Sequence, residues 1–175
     1  MEHPIHSAFD SFDYLGRATL FAQEIHEVIN RVSLFEEFSF PEFEALCSYM
    51  VCYTAPRHGV LIREGDSGDF LVILLTGKVD VIKQASDGST KFIAAVGPGA
   101  SLGEMSLIDG QARFATCIST EPVDFAVLDR KALNEVLVSQ PRLGNKLLLL
   151  LLQLMAKRLR DSGASLLPHI GSSVV

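Results

Sequence analysis

Glu104 and Arg113, nine residues apart, are the strongest candidates for binding chemistry in this chain. A guanidinium can pair with two phosphate oxygens at once, and a carboxylate accepts hydrogen bonds from sugar hydroxyls. Gly103, directly before the glutamate, permits a backbone conformation or a close approach that a Cβ would block. These residue types predict a site for a small anion that also carries hydroxyl groups.

The stretch around these residues, 97–120, reads GPGASLGEMSLIDGQARFATCIST. Its short apolar run 105–108 predicts a single helical turn, whose N-terminal N–H groups and dipole favour an anion. Arg113 then begins the next predicted strand. One loop therefore supplies phosphate donors and a ribose acceptor, and the ligand that fits both is a nucleotide whose phosphate lies close to its sugar.

Short β-strands are predicted to position this loop. Between residues 51 and 129 the apolar runs are brief, rich in Val, Ile, Phe and Thr, and bounded by Gly, Pro, Asp or Ser. The tripeptide at 86–88, Ser-Asp-Gly, is typical of a hairpin turn. Seven or eight such strands indicate an antiparallel barrel or jelly roll. The runs are VCYTA, GVLIREG, DFLVILLTG, KVDVIKQ, TKFIAAVGPG, FATCIST and DFAVLD.

Helical periodicity flanks the strands on both sides. Pro141 should end the first helix after the strands, and Gly163 is a plausible cap of the last one. Residues 1–15 read as an irregular arm, and residues after 163 as a loose tail. The predicted helices cover 17–32, 39–49, 130–139 and 142–162.

Composition excludes several classes of protein. The 175 residues carry a formal charge of −6, which argues against the basic face that nucleic acids require. The leucine run 147–152 is far shorter than a membrane span of about 20 apolar residues, and the N-terminus does not resemble a secretory signal. Three cysteines without metal-site spacing predict reduced, buried thiols and a cytoplasmic location.

Catalytic and metal-binding patterns are missing from the sequence. The five histidines are scattered, and only His58 lies near a predicted strand. A metal-binding jelly roll would need several such ligands on adjacent strands. No serine or cysteine occurs in a recognisable nucleophile setting with a histidine and an acid. We therefore predict neither an enzyme nor a metal site.

The loop resembles the phosphate-binding cassette of cyclic nucleotide-binding domains, found in bacterial catabolite activators and protein kinase A regulatory subunits. That cassette reads roughly F-G-E-h-A-L, then R-x-A-T/S after a short loop. Here the matching segments are LGEMSL at 102–107 and RFAT at 113–116, with REGD at 63–66 and LTGKV at 75–79 upstream. The resemblance covers about residues 34–162. It implies a mainly β fold, an antiparallel β jelly-roll barrel with N-terminal helices and a long C-terminal helix.

The resemblance also implies a role for each cassette residue. Arg113 would neutralise the cyclic phosphate, Glu104 would hold the ribose 2′-OH, and Gly103 would allow the close approach. Backbone N–H groups of Ser106 and Phe114 would add bonds to the phosphate. The last helix would cap the base, with Ser162 about where an adenine-contacting hydroxyl is expected. The remaining expected ligand-site residues are Met105, Ala115 and Thr116, of which Thr116 could order the loop, and Val81, Ile93 and Ala94 beneath the base.

Phe114 departs from the family pattern, which often has Ala, Ser or Thr there. A hydroxyl at this position favours guanine, so its absence favours cAMP over cGMP, although the ring could also crowd the pocket or stack on a different base. One alternative is a degenerate scaffold or adaptor in which Glu104 and Arg113 simply pair. Another is a receptor for a different nucleotide such as cyclic di-GMP, which would need further arginines or stacking groups.

The last helix is apolar nearly all round, from the leucine run 147–152 to Leu159. One face can cover the barrel, and the other needs a partner. We predict a homodimer through 142–162; the alternative is that the helix 17–32 covers this face.

Too few residues follow Ser162 for the DNA-binding module of the bacterial activators, which predicts no direct DNA binding and output through an effector protein. The predicted organisation is an N-terminal arm and helix at 1–33, the binding domain at 34–162, and a flexible tail at 163–175.

Overall fold

The computed structural model describes residues 7–30 and 38–170. Its strands are β1 Asp13–Arg17, β2 Val51–Ala55, β3 Val60–Ile62, β4 Phe70–Leu74, β5 Val79–Gln84, β6 Thr90–Val96, β7 Ser101–Leu102, β8 Thr116–Ser119 and β9 Val123–Asp129. Its α-helices are α1 Ala22–Asn30, α2 Phe40–Cys47, α3 Glu104–Asp109, α4 Arg130–Ser139 and α5 Pro141–Ile170. Short 3-10 helices cover Ser7–Phe9 and Ala18–Phe21.

The strands form two antiparallel sheets, in the orders β1-β2-β9-β4-β7 and β3-β8-β5-β6. β5 and β6 form a hairpin closed by the predicted turn, where the Ala85 N–H donates to the Ser89 carbonyl at 2.8 Å. α1 and α2 lie between β1 and β2 in the chain, α3 lies between β7 and β8, and α4 and α5 follow β9. This arrangement confirms the predicted mainly β jelly roll with flanking helices.

β4 divides its side chains between two hydrophobic cores, because successive side chains of a strand point to opposite faces of a sheet. Phe70, Val72 and Leu74 lie in the core between the sheets, where aromatic rings such as Phe9 and Tyr53 pack together. The outer core receives the alternate side chains and is covered by α1, α2, α4 and α5. The β4 residues of this outer core are Leu71 and Ile73.

The N-terminal segment is more ordered than the predicted irregular arm. Phe9 is fully buried in the core between the sheets, and β1 pairs with β2 from Asp13 to Arg17. The predicted helix 17–32 begins later, since Ala18–Phe21 form a 3-10 turn before α1. Apolar spacing alone could not show this, because the segment is ordered by contacts with residues far along the chain.

The bounds of the last helix also differ from the prediction. Pro141 ends α4 and opens α5, since a proline at the first helical position forfeits no intrahelical hydrogen bond. Gly163 lies within the helix rather than capping it, so the predicted tail is wrong for 163–170; residues 171–175 lie outside the described part of the chain. A glycine costs a helix only about 1 kcal/mol relative to alanine, which does not by itself end one.

None of the helices in the described ranges is both long enough and apolar enough to cross a membrane.

Candidate functional site

Arg113 is a buried cation, with 4% of its surface exposed. Its Nη1 donates to the Gly103 carbonyl at 2.8 Å, and its Nη2 donates to the Phe70 carbonyl at 2.9 Å. The guanidinium also lies 4.2 Å from the centre of the Phe70 ring. Burial lowers its pKa, which the nearby charges of Asp69 and Glu104 partly counteract, and an arginine keeps its proton under all ordinary conditions.

Backbone pairing and two glycines place this guanidinium. The Arg113 N–H donates to the Asp66 carbonyl at 2.8 Å, and the Gly65 N–H donates to the Arg113 carbonyl at 2.9 Å. A Cβ at Gly68 or Gly103 would collide with the Arg113 side chain. Gly103 has a φ of 84°, a left-handed conformation that favours glycine. The upstream and cassette motifs thus meet around one side chain.

Glu104 is fully buried at the start of α3 and faces a residue of α5. Its Oε1 lies 2.7 Å from Arg158 Nε, and Arg158 Nη2 donates to the Ser101 carbonyl. Burial raises the pKa of the Glu104 carboxyl, and Arg158, the backbone N–H of Glu104 itself and Arg113 act to lower it. Although the ion pair is close, neither carboxylate oxygen has an aligned hydrogen bond, so the carboxylate retains acceptor capacity.

A cavity of about 690 Å³ opens beside these charges. Its size is typical of a site for a small organic ligand. Glu104 does not line it; the carboxylate is fully buried and pairs with Arg158, which does line the cavity. Thr116 does not line it either; its Oγ1 instead accepts a hydrogen bond from the Glu64 N–H at 2.9 Å. The predicted residues that do line the cavity are Val81, Ile93, Ala94, Gly103, Met105, Ser106, Arg113, Phe114 and Ala115.

Comparison with known proteins agrees with this geometry. Residues 54–140 match the family model described as "Cyclic nucleotide-binding domain". A solved cyclic nucleotide-binding domain from Methylobacillus flagellatus KT is 45% identical, with a TM-score of 0.86 and 97% of each chain covered. The chain belongs to the cyclic nucleotide-binding domain family.

Two curated relatives are a regulator and a receptor by name. The CRP-like cAMP-activated global transcriptional regulator of Mycobacterium tuberculosis is 28% identical over 85% of this chain. The Cyclic AMP receptor protein of Thermus thermophilus is 29% identical over 76% of it. The matches span 64% and 60% of these two relatives, which is less than two thirds of their length.

The last helix was expected over the base, but sequence reasoning missed which residues of α5 line the cavity of this cyclic nucleotide-binding domain. Arg158 lines the cavity and forms an ion pair with Glu104. No local motif marks Arg158, because its partner is 54 residues earlier in the chain. The side chain of Ser162 lies outside those described. The other unpredicted lining residues are Ile62, Val96, Leu102, Cys117, Met155, Leu159 and Asp161.

The cavity is not plugged by the two side chains that could have filled it. Phe114 is 56% exposed and Met105 is 41% exposed, and both form its border. A collapsed site, which the scaffold alternative predicts, would bury these side chains.

The cysteines are free and buried, as predicted: Cys47, Cys52 and Cys117. Burial raises the pKa of each thiol to about 12, so all three stay protonated at neutral pH. Within 7–30 and 38–170, no group of His, Cys, Asp and Glu side chains could hold a metal ion. The cytoplasmic location stays a prediction.

Proposed function

We propose that this domain is a receptor, rather than an enzyme, for a cyclic nucleotide, with cAMP preferred over cGMP. The observation that carries the proposal is the buried charge of Arg113 beside an open cavity. Its two hydrogen bonds go to neutral carbonyl oxygens, and no carboxylate forms an ion pair with it among the residues described. A buried cation that is balanced only by more distant carboxylates still favours a direct anionic partner, and a phosphate would supply one.

Glu104 is proposed to accept hydrogen bonds from the ribose. Its oxygens have no aligned donor among the residues that the structure describes, although Arg158 balances the charge. A ribose hydroxyl is a neutral donor that can bond to a carboxylate. Because Glu104 is fully buried and does not line the cavity, the Arg158 side chain would have to shift for the sugar to reach it.

The preference for cAMP rests on Phe114 and on the apolar wall that includes Val81 and Ala94. Phe114 offers no hydroxyl to the polar edge of guanine, and an unpaired polar edge loses its hydrogen bonds to water on binding. Both curated relatives described above are named for cAMP, which supports the same choice.

Calorimetric titration with cAMP, cGMP and cyclic di-GMP tests this proposal. The wild-type domain should bind cAMP most tightly, and Arg113→Ala should weaken binding by about 1.5–3 kcal/mol, the usual worth of a charged hydrogen bond. Arg63→Ala removes an exposed arginine near the same turn and should bind like the wild type. Arg113→Lys keeps the buried charge but loses the planar fork, so it should bind weakly while staying folded.

Absence of heat from the wild type at millimolar cyclic nucleotide would overturn the receptor and favour the scaffold. Tightest binding of cyclic di-GMP would instead favour a different nucleotide class, for which Arg158 and Phe114 would be the additional charged and stacking groups.

The signal is proposed to leave through α5. Arg158 connects that helix to Glu104, and through Ser101 to the strand before the cassette. A ligand that binds beside this ion pair would favour one position of the helix over another, as a two-state switch requires. The effector would then be a protein that recognises one position of α5.

The exposed leucines of α5 are proposed to bind a second copy of the chain. Leu148, Leu152, Met155 and Leu159 are spaced at intervals of four, three and four residues, as in the seam of a two-stranded coiled coil. α1 packs in the same outer core, yet it leaves Leu152 62% exposed and Leu159 75% exposed. These exposures support the dimer over the alternative that the N-terminal helix covers this face.

Sedimentation velocity tests the dimer. Wild-type protein should show a dimer mass that falls on dilution, and Leu152→Glu should shift it to the monomer, because a charge in the seam loses its hydration. Lys157→Glu, which changes an exposed residue of the same helix, is the matched control. A concentration-independent monomer mass for the wild type would overturn this proposal.

A further inference from the structure

Phe114 is held at the border of the cavity by a lysine from β5. Lys83 Nζ donates to the Phe114 carbonyl at 2.6 Å and lies 4.0 Å from the centre of the Phe114 ring. One side chain thus fixes both the backbone and the ring of the residue that follows Arg113. The rest of the ring remains open, since more than half of the residue is exposed.

Lys83 is fixed in turn by Glu64. Its Nζ lies 2.9 Å from Glu64 Oε1, and the Gln84 N–H donates to Glu64 Oε2 at 2.8 Å. The hydrogen bond from the Gln84 N–H, followed by that from Lys83, lowers the pKa of Glu64, so this carboxylate stays ionised at neutral pH. The Glu64 N–H also donates to Thr116 Oγ1. The clamp formed by Glu64 and Lys83 therefore braces the segment 113–116.

The clamp adds little to overall stability, because both side chains are partly exposed and surface ion pairs contribute little. Its effect on the ring is local. A free phenylalanine side chain at a cavity border would sample several rotamers, and a ligand that touched it would have to restrict them. A ring already held by an ammonium needs less ordering when the ligand binds.

We propose that Lys83, backed by Glu64, is a positioning residue of the ligand site, and that the Phe114 ring it holds contacts the bound ligand. The proposal rests on the proposed function, because the ligand is the cyclic nucleotide. The ring would cover an apolar or aromatic part of that ligand next to the phosphate bound by Arg113. Because Phe114 presents only carbon and hydrogen there, it also contributes to base selectivity.

Titration of Lys83 variants with cAMP tests the positioning role. Lys83→Met should weaken binding about fivefold to tenfold, as expected for loss of a cation–π contact and a charged hydrogen bond. Lys83→Arg keeps the charge and can still cover the ring, so it should retain near-wild-type affinity. Lys91→Met removes the lysine paired with Lys83 across the hairpin and should change nothing.

A tryptophan reporter tests the contact itself, because the chain contains no tryptophan. In Phe114→Trp, cAMP should change the indole emission if the ring touches the ligand. The fluorescence anisotropy of this variant should fall when Lys83→Met is added, before any ligand is present. The melting temperature of the double variant should equal that of Phe114→Trp. A lysine that only stabilised the fold would instead lower the melting temperature when it was replaced.

The outcomes separate the two ideas. Wild-type protein that binds no cyclic nucleotide overturns the proposed function, and the ligand contact with it. If the wild type binds cAMP and Lys83→Met binds equally well, only the positioning role is overturned. Unchanged indole emission while calorimetry records binding overturns only the contact of the ring at position 114.

Discussion

The two halves of α5 are attached to the rest of the molecule in different ways. The first half contributes buried leucines to the outer core and an ion pair between Lys146 and Glu42 of α2. Beyond Leu154 the described side chains are half-buried or exposed, and Arg158 supplies the ion pair that reaches the cassette. The leucines of the first half are Leu143, Leu147, Leu150, Leu151 and Leu154.

This difference indicates where the helix can respond to a ligand. Moving the first half would expose several leucines, each worth about 1.5–3 kcal/mol when fully buried. The described side chains after Leu154 are half-buried or exposed, so moving them exposes less apolar surface, and their ion pair is at the cavity. A ligand of ordinary affinity could therefore shift the second half while the first half stays in place.

The largest expected effect is on the free energy of unfolding, and it comes from the first half of α5, which buried leucines anchor. Leu151→Ala removes a fully buried side chain and should lower the free energy of unfolding by about 2–5 kcal/mol. Leu20→Ala, the same change at a residue 71% exposed, should cost far less. Denaturant unfolding of both variants measures the contrast, and equal losses would contradict the anchoring role of the first half.

The next largest effect is a pH-dependent loss of stability when Arg158, in the second half of α5, is replaced. Arg158→Met leaves Glu104 buried without its counter-ion and should cost about 1–2 kcal/mol at neutral pH, less than a wholly buried pair because Arg158 is partly exposed. Since burial already raises the pKa of Glu104, the folded state holds its proton above the ordinary value of 4.5, and stability falls as pH rises through that window. Without Arg158 the pKa rises further, so the deficit should grow from acid to neutral pH.

Melting curves of wild type and Arg158→Met across the acid range test this behaviour. The difference in melting temperature should shrink below the ordinary glutamate pKa, where Glu104 is neutral in both states. Arg160→Met, an exposed change on the same helix, should be independent of pH. A constant deficit for Arg158→Met would show that lost packing, rather than charge, is responsible.

The smallest expected effect is on the melting temperature when the surface ion pair between Lys146 and Glu42 is removed. Hydrogen bonds from Lys146 and then from Ser39 lower the pKa of Glu42 to about 2. The folded state therefore gains stability from ionised Glu42 above pH 4.5, and that gain is lost as pH falls toward 2. Lys146→Met should lower the melting temperature slightly at neutral pH, and less in high salt, which screens exposed charges. A loss as large as that of Leu151→Ala would mean that the ion pair, not the leucines, holds this half.

Local patterns in the sequence were enough to predict the strands and the cassette. Brief apolar runs bounded by turn residues predicted β4 and β5, and the spacing of Gly103, Glu104 and Arg113 predicted a common site. Both signals act within a few residues, where backbone geometry decides which side chains share a face.

The placement of Glu104 and Thr116 could not be predicted in the same way. Both belong to the cassette, yet neither side chain lines the cavity, since each bonds to a segment distant in sequence. Contacts with distant segments also give residues 7–17 a defined structure. Phe9 is held by the core, and β1 is held by β2.

The sequence by itself determined the jelly roll, its flanking helices and the arginine of the binding loop, because periodicity and turn chemistry are local. Only the tertiary structure decided which leucines of α5 are buried, that Arg158 reaches Glu104, and that Phe114 is clamped by Lys83. Those outcomes depend on which surfaces meet when the helix packs against the barrel. A helix that is apolar nearly all round carries no local mark of which face will be covered.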